Sequence, residues 1–200
     1  MRKMLTMAAL VVAVSAGHVH AGEADAKAEV RKIAQTLGDQ TVAAIKVEDK
    51  ADRWRLLQEA AAPAIDFRAI AQGVLNYAGA KVPSNREAEV VDQVVVFMTH
   101  AIVSQIERVR PETATIDDVT VKNENEIRVA MSLDGVQDSI DGQWHFKKSG
   151  DAWKVTEIAV TGGTLTGHFG EKLARHARGV DQLVDYLRDQ QRRSQTAQVR

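Results

Sequence analysis

The spacing of apolar residues changes twice along this chain, and that change restricts the fold more than any other feature of the sequence. Up to Pro111, apolar residues recur every three or four positions, which is typical of helices with one buried face. Between residues 127 and 160 they alternate with polar residues, which is typical of half-buried strands. After Gly163 the helical spacing returns. Helices, then strands, then helices predict an α+β fold.

Proline and a capping pattern set the predicted ends of the helices. Pro63 is expected to end the second helix and Pro111 the fourth, since proline cannot continue a helical hydrogen-bond ladder. Ser84 and Glu87 have the spacing of a capping box. The helices predicted before the strands cover residues 30–45, 51–62, 66–76 and 84–108.

Short turns predict that the strands are antiparallel neighbours. Asp134-Gly135 and Ser149-Gly150-Asp151 separate strands at about 127–133, 144–146 and 152–160, and a weaker strand is predicted near 114–121. We therefore expect helices packed on one face of a curved four-stranded antiparallel sheet. Two more helices are predicted, over 165–177 and from Val180 to about residue 190.

The N-terminus has the pattern of an export signal. Arg2 and Lys3 precede an apolar run from Met4 to Ala16, and Val19-His20-Ala21 offers a site for a signal peptidase. An N-terminal membrane anchor is the alternative, but this run is shorter than the roughly 20 apolar residues that a bilayer requires. We predict a cleaved signal peptide over residues 1–21, one domain over 22–190, a polar tail over 191–200, and a periplasmic location.

Composition narrows the classes of function. Removal of Arg2 and Lys3 with the leader changes the net charge from −1 to −3, a near-neutral balance that does not favour nucleic acid as a partner. The chain contains no Cys, so disulfides, thiolate metal sites and lipidation at cysteine are excluded. Its stability must come from packing.

Three segments together resemble a known family. They are Trp153–Leu165, Gly179–Leu187 and residues 66–75, the last followed by Pro83 and Arg86. Their pattern is similar to that of MlaC-type proteins, the toluene-tolerance auxiliary family of periplasmic phospholipid carriers. The resemblance implies a cone-like, NTF2-like arrangement with an apolar cavity between the sheet and the long helices.

The resemblance also implies a ligand and its contacts. Acyl chains would lie in the cavity with the headgroup outside, and no catalytic residue, metal or cofactor would be needed. The residues expected to contact lipid are Ile70, Val74, Val94, Phe97, Met98, Ile102, Ile127, Val129, Met131, Trp144, Phe146, Val155, Leu165 and Phe169. The implied partners are a phospholipid, an inner-membrane ABC transporter complex carrying an MCE-domain protein, and an outer-membrane lipoprotein complex, which together maintain outer-membrane lipid asymmetry. The carrier is expected to be a monomer.

Some residues depart from the family pattern. Asn76 stands where the family commonly has glycine, and Gly170 stands where it usually has arginine. A carrier of a different apolar ligand, such as a hopanoid or a solvent molecule, therefore stays open.

Two other classes of function are compatible with the sequence. A small-molecule isomerase or dehydratase could use His145 with Asp141, or His168 with Glu171, as an acid–base pair. Strand alternation, however, directs His145 to the face opposite Trp144 and Phe146, where we expect it to be exposed. An interaction protein without a ligand could use the basic residues of the C-terminal tail on an anionic surface.

Overall fold

Helices and strands follow one another in the predicted order. The computed structural model describes the backbone of residues 16–198 and the side chains of residues 22–193; most of the predicted signal peptide, residues 1–15, lies outside the described residues. The elements are α1 (Ala16–Ile45), α2 (Lys50–Ala64), α3 (Phe67–Tyr77), α4 (Glu87–Val109), β1 (Thr113–Asn123), β2 (Glu126–Asp134), β3 (Ser139–Ser149), β4 (Ala152–Val160), β5 (Gly163–Thr164), α5 (Leu165–Ala174) and α6 (Val180–Gln198).

The strands form an antiparallel meander in the order β1-β2-β3-β4-β5. Along β2, buried residues alternate with half-buried ones, so one face of the sheet packs against the helices. Bulges in β1 and near His145 in β3 interrupt the register, and such bulges bend a strand. The α+β prediction is confirmed.

The sheet has one strand more than predicted. After β4 the chain turns through Gly162 and Gly163, both at positive φ, and Val160 pairs with Gly163 while Ala159 pairs with Thr164. From the sequence, the two glycines predict only the end of β4. Their backbone freedom in fact allows a tight turn, and the residues after it pair with β4 as β5. This short strand leads directly into α5.

Two helix ends differ from the prediction. Pro63 lies inside the last turn of α2, and the helix continues because the Ile65 N–H still donates to the Ala61 carbonyl at 2.9 Å. Proline removes the hydrogen bond to the carbonyl of Glu59, which is exposed and can meet water there. The α6 backbone remains helical to Gln198, so the predicted tail beginning at residue 191 is not separated from it.

The predicted capping box at the start of α4 is wrong. A turn across residues 84–86 precedes the helix, with the Arg86 N–H donating to the Pro83 carbonyl at 2.9 Å, so Ser84 lies too far upstream to cap. Arg86 is the cap residue, and its guanidinium pairs with Glu89 at 2.7 Å and with Asp181 of α6 at 2.9 Å. The start of α4 is therefore fixed to α6 by charge.

Apolar side chains form two separate clusters in the described part of the chain. The main core joins the inner face of the sheet to α1, the C-terminal end of α2 (Ala60 and Ala64), α3, α5, α6 and the N-terminal half of α4. A second, smaller cluster consists of Ala44, Ile45, Trp54, Leu57 and Val103, and so joins α1 and α2 to the C-terminal half of α4. By length and composition alone α4 could also cross a membrane, but here it runs through both clusters.

Gly38 lets α1 lie close against the sheet. A Cβ atom at this position would stand 2.7 Å from the Cβ of Ala114 in β1, which is closer than real Cβ atoms approach. The close contact sets the distance between the helix and the edge of the sheet.

We expect Gly38→Val to destabilise the protein by about 2 kcal/mol, because the added side chain must push α1 away from β1. The free energy of unfolding in urea measures the change. Gln40→Val on the exposed side of the same helix introduces the same side chain without the contact, and should cost less than about 1 kcal/mol. Equal losses in the two variants would contradict the close-packing account.

Candidate functional site

A cavity of about 890 Å³ lies between the sheet and the helices. Its walls include Leu57 and Val103 from the second cluster and Leu37 and Met131 from the main core. The cavity therefore occupies the space where the two clusters fail to meet. Its size is near the upper end of the roughly 300–1,000 Å³ typical of small-molecule sites.

The walls of the cavity are mainly aliphatic and aromatic. They come from α1, α2, the start of α3, the C-terminal half of α4, the inner face of β2–β4 and the start of α5. The apolar wall residues are Leu37, Leu57, Ala61, Ile65, Phe67, Ala101, Ile102, Val103, Ile106, Met131, Leu133, Ile140, Trp144, Ile158, Val160, Leu165 and Phe169.

Polar side chains in and near the wall are satisfied within the protein. Thr41 is buried, and its hydroxyl donates to the Leu37 carbonyl of its own helix at 2.8 Å. Thr164 caps α5 by accepting from the Gly167 N–H at 3.0 Å. Glu157 accepts from the Thr166 N–H at 3.2 Å. These bonds keep unpaired polar groups out of the apolar wall.

The rim of the cavity is polar and exposed, so the cavity opens to solvent. Its exposed residues are Gln58, Tyr77, Gln105, Ser139, Asp141, Thr161, Gly162, Gly163, His168, Glu171 and Lys172. An apolar interior beneath a polar rim suits a ligand with a hydrocarbon body and a polar end.

Some of the residues predicted to contact lipid line this cavity and others do not. Ile102, Met131, Trp144, Leu165 and Phe169 are on its wall. Ile70, Val74, Val94, Phe97, Met98, Ile127, Val129, Phe146 and Val155 pack in the main core instead. The apolar stripe of the sequence reports burial, and it does not distinguish a wall from a filled interior.

Helix α6 explains why the N-terminal half of α4 faces a filled space. Leu183, Val184 and Leu187 of α6 are buried in the main core. Phe97 of α4 makes edge contacts with Phe169 at 5.6 Å and with Tyr186 of α6 at 6.2 Å between ring centroids. The cavity is thereby limited to the part of α4 from Thr99 to Ile106.

The sequence contains a partial signal for the wall residues that were missed. Leu57 and Ala61 of α2 lie four positions apart and so share a helix face, but their helix has a weak apolar pattern. Rim residues such as Tyr77 and Glu171 come together only through the fold, since they are 94 positions apart and their side chains lie within 3.5 Å.

Comparison with known proteins assigns the chain to a family. The family model described as MlaC protein matches residues 30–189. This chain belongs to the MlaC family. A solved structure with the same fold is the phospholipid-binding protein from Ralstonia solanacearum in complex with a phospholipid; it is 17% identical, has a TM-score of 0.68, and the match covers 84% of this chain and 98% of that one. No curated protein sequence matches.

The histidines of this MlaC-family chain do not form the acid–base pairs considered from the sequence. His145 and Asp141 are four positions apart on β3, a span of about 13 Å. His168 packs edge-on against Phe169, whereas the recorded partner of Glu171 is the Tyr77 hydroxyl at 3.5 Å. Residues 22–193 also contain no group of three or more His, Asp or Glu side chains placed to hold a metal ion.

His145 is less exposed than strand alternation predicts. It lies on the outer face of the sheet opposite Arg128 and Glu157 but is half-buried, and its Nε2 atom has no hydrogen-bond partner among the described residues. Burial, followed by the positive charge of Arg128, lowers the pKa of His145 below 6.5. Burial also lowers the pKa of His100, which packs on Trp54 with ring centroids 4.8 Å apart.

These two histidines should make stability fall in mildly acidic solution. Because the pKa of each histidine is lower in the folded chain, the unfolded chain binds more protons near pH 6.5, and the free energy of unfolding decreases as pH falls through about 6.5. Urea titrations measure the slope, which should be smaller in the variant carrying His100→Gln and His145→Gln. Hydrogen bonds from Thr120 and Arg128 lower the pKa values of Asp118 and Glu126, respectively. These two carboxylates therefore change the free energy of unfolding only at lower pH. An unchanged slope in the variant would assign the effect to other groups.

A polar clamp holds α2 against the C-terminal half of α4 beside the cavity. Glu107 accepts from Arg53 Nε at 3.0 Å through one oxygen and from Trp54 Nε1 at 2.9 Å through the other. Arg53 and Glu107 are 11% and 19% exposed, and Arg53 also donates to the carbonyls of Val47 and Glu48. One carboxylate thus fixes two side chains of α2 and the loop before it.

We expect Glu107→Ala to lower the free energy of unfolding by about 2 kcal/mol, because it leaves Nε of Arg53 and Nε1 of Trp54 without their acceptor. Urea denaturation measures the loss. Glu59→Ala removes an exposed ion pair with Arg55 on the same helix and should cost less than about 1 kcal/mol. A loss in Glu107→Ala as small as that in the control would show that the clamp does not stabilise the fold.

Proposed function

We propose that this protein is a soluble periplasmic carrier that holds a phospholipid by its acyl chains in the cavity. The observation that carries the proposal is an apolar cavity of about 890 Å³ with a polar rim, in a chain of the MlaC family. The phospholipid complex of the structurally similar Ralstonia solanacearum protein supports a ligand of this kind.

The size of the cavity supports a ligand that fills it. Because the cavity opens to solvent, its aliphatic walls would be in contact with water in the absence of a ligand, at a cost of about 25 cal/mol per Å² of apolar surface. Water could fill it at about 30 Å³ per molecule, but the aliphatic walls offer few hydrogen-bond partners. Hydrocarbon meets no such penalty against these walls.

Hydrophobic transfer explains why lipid traffic across an aqueous space needs a carrier. About 30 methylenes at roughly 0.8 kcal/mol each amount to about 25 kcal/mol against exposure to water. A dry cavity removes most of that cost, and so does a bilayer. Transfer between them therefore has a small net free energy, and no catalytic group is required.

The direction of lipid transport must then be set by the proteins with which the carrier docks. On the MlaC pattern these are an inner-membrane ABC transporter complex with an MCE-domain protein and an outer-membrane lipoprotein complex. The export pattern of residues 1–21 agrees with work between two membranes.

We expect Ala61→Trp and Ala101→Trp to lower the amount of bound phospholipid. The two residues lie on walls contributed by α2 and α4, and an indole at either would occupy volume needed by acyl chains. The full chain is expressed with its leader, recovered from the periplasm, and its bound lipid is measured by native mass spectrometry. The mass of the chain also shows whether residues 1–21 have been removed.

Ser104→Trp is the matched control, because Ser104 is exposed on α4 and is not on the cavity wall. It should retain the lipid occupancy of the parent protein. Circular dichroism checks that all variants are folded. Unchanged occupancy in both cavity variants would place the ligand elsewhere, and a parent protein that carries no lipid would refute the proposal.

A further inference from the structure

The charged residues on the rim of the cavity restrict which polar headgroup a bound lipid can carry. Among the described residues that line the cavity, Asp141 and Glu171 carry negative charge and Lys172 carries positive charge; His168 is the remaining ionisable side chain apart from Tyr77. Within residues 22–193, no arginine lines the cavity. A rim with more carboxylates than fixed cations disfavours a ligand of net negative charge.

The ring of Tyr77 packs against Gly170 and leaves no space for a side chain there. A Cβ atom at Gly170 would stand 2.5 Å from Cδ1 and 2.8 Å from Cγ of the Tyr77 ring. The ring therefore occupies the place that any side chain at position 170 would take, a basic one included. Tyr77 is nevertheless 56% exposed, so its ring also faces solvent at the cavity opening.

The hydroxyl of Tyr77 lies 3.5 Å from Oε1 of Glu171 and donates toward it. An aromatic ring and a carboxylate placed side by side are the groups that bind an alkylammonium, through cation–π attraction and an ion pair. The next residue, Lys172, has its ammonium 5.7 Å from the centre of the Phe169 ring, itself a wall residue. A cation in that position can bind a phosphate at the top of the acyl chains.

We infer that the rim formed by Tyr77, Glu171 and Lys172 recognises a zwitterionic phospholipid headgroup, with the amine at Glu171 and Tyr77 and the phosphate at Lys172. The inference rests on the proposed lipid-carrier function and adds the class of headgroup. A phospholipid with a net negative headgroup, such as phosphatidylglycerol, has no cation to offer Glu171 and meets its charge unpaired.

A competition between two headgroups tests this inference. Full-length protein, expressed with its leader and freed of lipid, is mixed with vesicles of equal parts phosphatidylethanolamine and phosphatidylglycerol with the same acyl chains. Native mass spectrometry gives the ratio of the bound lipids. We expect enrichment of phosphatidylethanolamine by about two- to fivefold, the fold-change that corresponds to an exposed ion pair.

Glu171→Lys should abolish or reverse that enrichment, because it replaces the carboxylate at the amine position with a second cation. Tyr77→Phe retains the aromatic ring and should keep part of the enrichment. The matched control is Glu124→Lys, the same charge change on the β1–β2 turn, at the end of β2 remote from Leu133. It should keep the parent ratio.

The outcomes separate the two proposals. Bound lipid at the vesicle ratio, or an enrichment that Glu171→Lys leaves intact, would overturn the headgroup inference while leaving the carrier function in place. Absence of bound lipid of either kind would overturn the carrier function itself.

Discussion

The cavity exists because two apolar clusters are held a fixed distance apart. The main core is closed at one end of α4 by α6, and the second cluster is fixed at the other end by the carboxylate of Glu107, which binds Arg53 and Trp54. Ala60 and Ala64 at the other end of α2 lie in the main core, so this helix is anchored in both clusters. The hydrogen bonds to Glu107 are largely shielded from water, and they fix α2 to the C-terminal half of α4 beside the cavity.

Helix α4 divides the molecule into a filled half and a hollow half. Val94 and Met98 are fully buried among side chains of the main core, whereas Ile102 and Ile106 face the cavity. The helix is continuous from Glu87 to Val109, so both halves share one rigid element. The packed half can therefore position the wall of the cavity without contacting the ligand.

The fold was largely predictable from the sequence because its signals are local. The change in apolar spacing and the turn residues identified the helices and the meander, and short segments identified the family. Local signals failed where the surroundings of a residue decided the outcome. Pro63 lies within α2 because the carbonyl that loses its hydrogen bond can meet water, and Ser84 does not cap α4 because a turn separates it from the helix. The candidate site was less predictable, since Val129 and Met131 share one strand face and only Met131 reaches the cavity. Which of two such residues borders the cavity depends on which helix side chains pack against it, and the alternation along the strand does not contain that information.

The wall residues contributed by both clusters have a consequence for how the protein melts. Leu37 of the main core and Leu57 of the second cluster both line the cavity, so a ligand in it would contact both clusters. Any ligand that binds only the folded chain adds its binding free energy to stability. If only some molecules in a preparation held a ligand, the two populations would unfold at different temperatures, and the calorimetric transition would broaden or split.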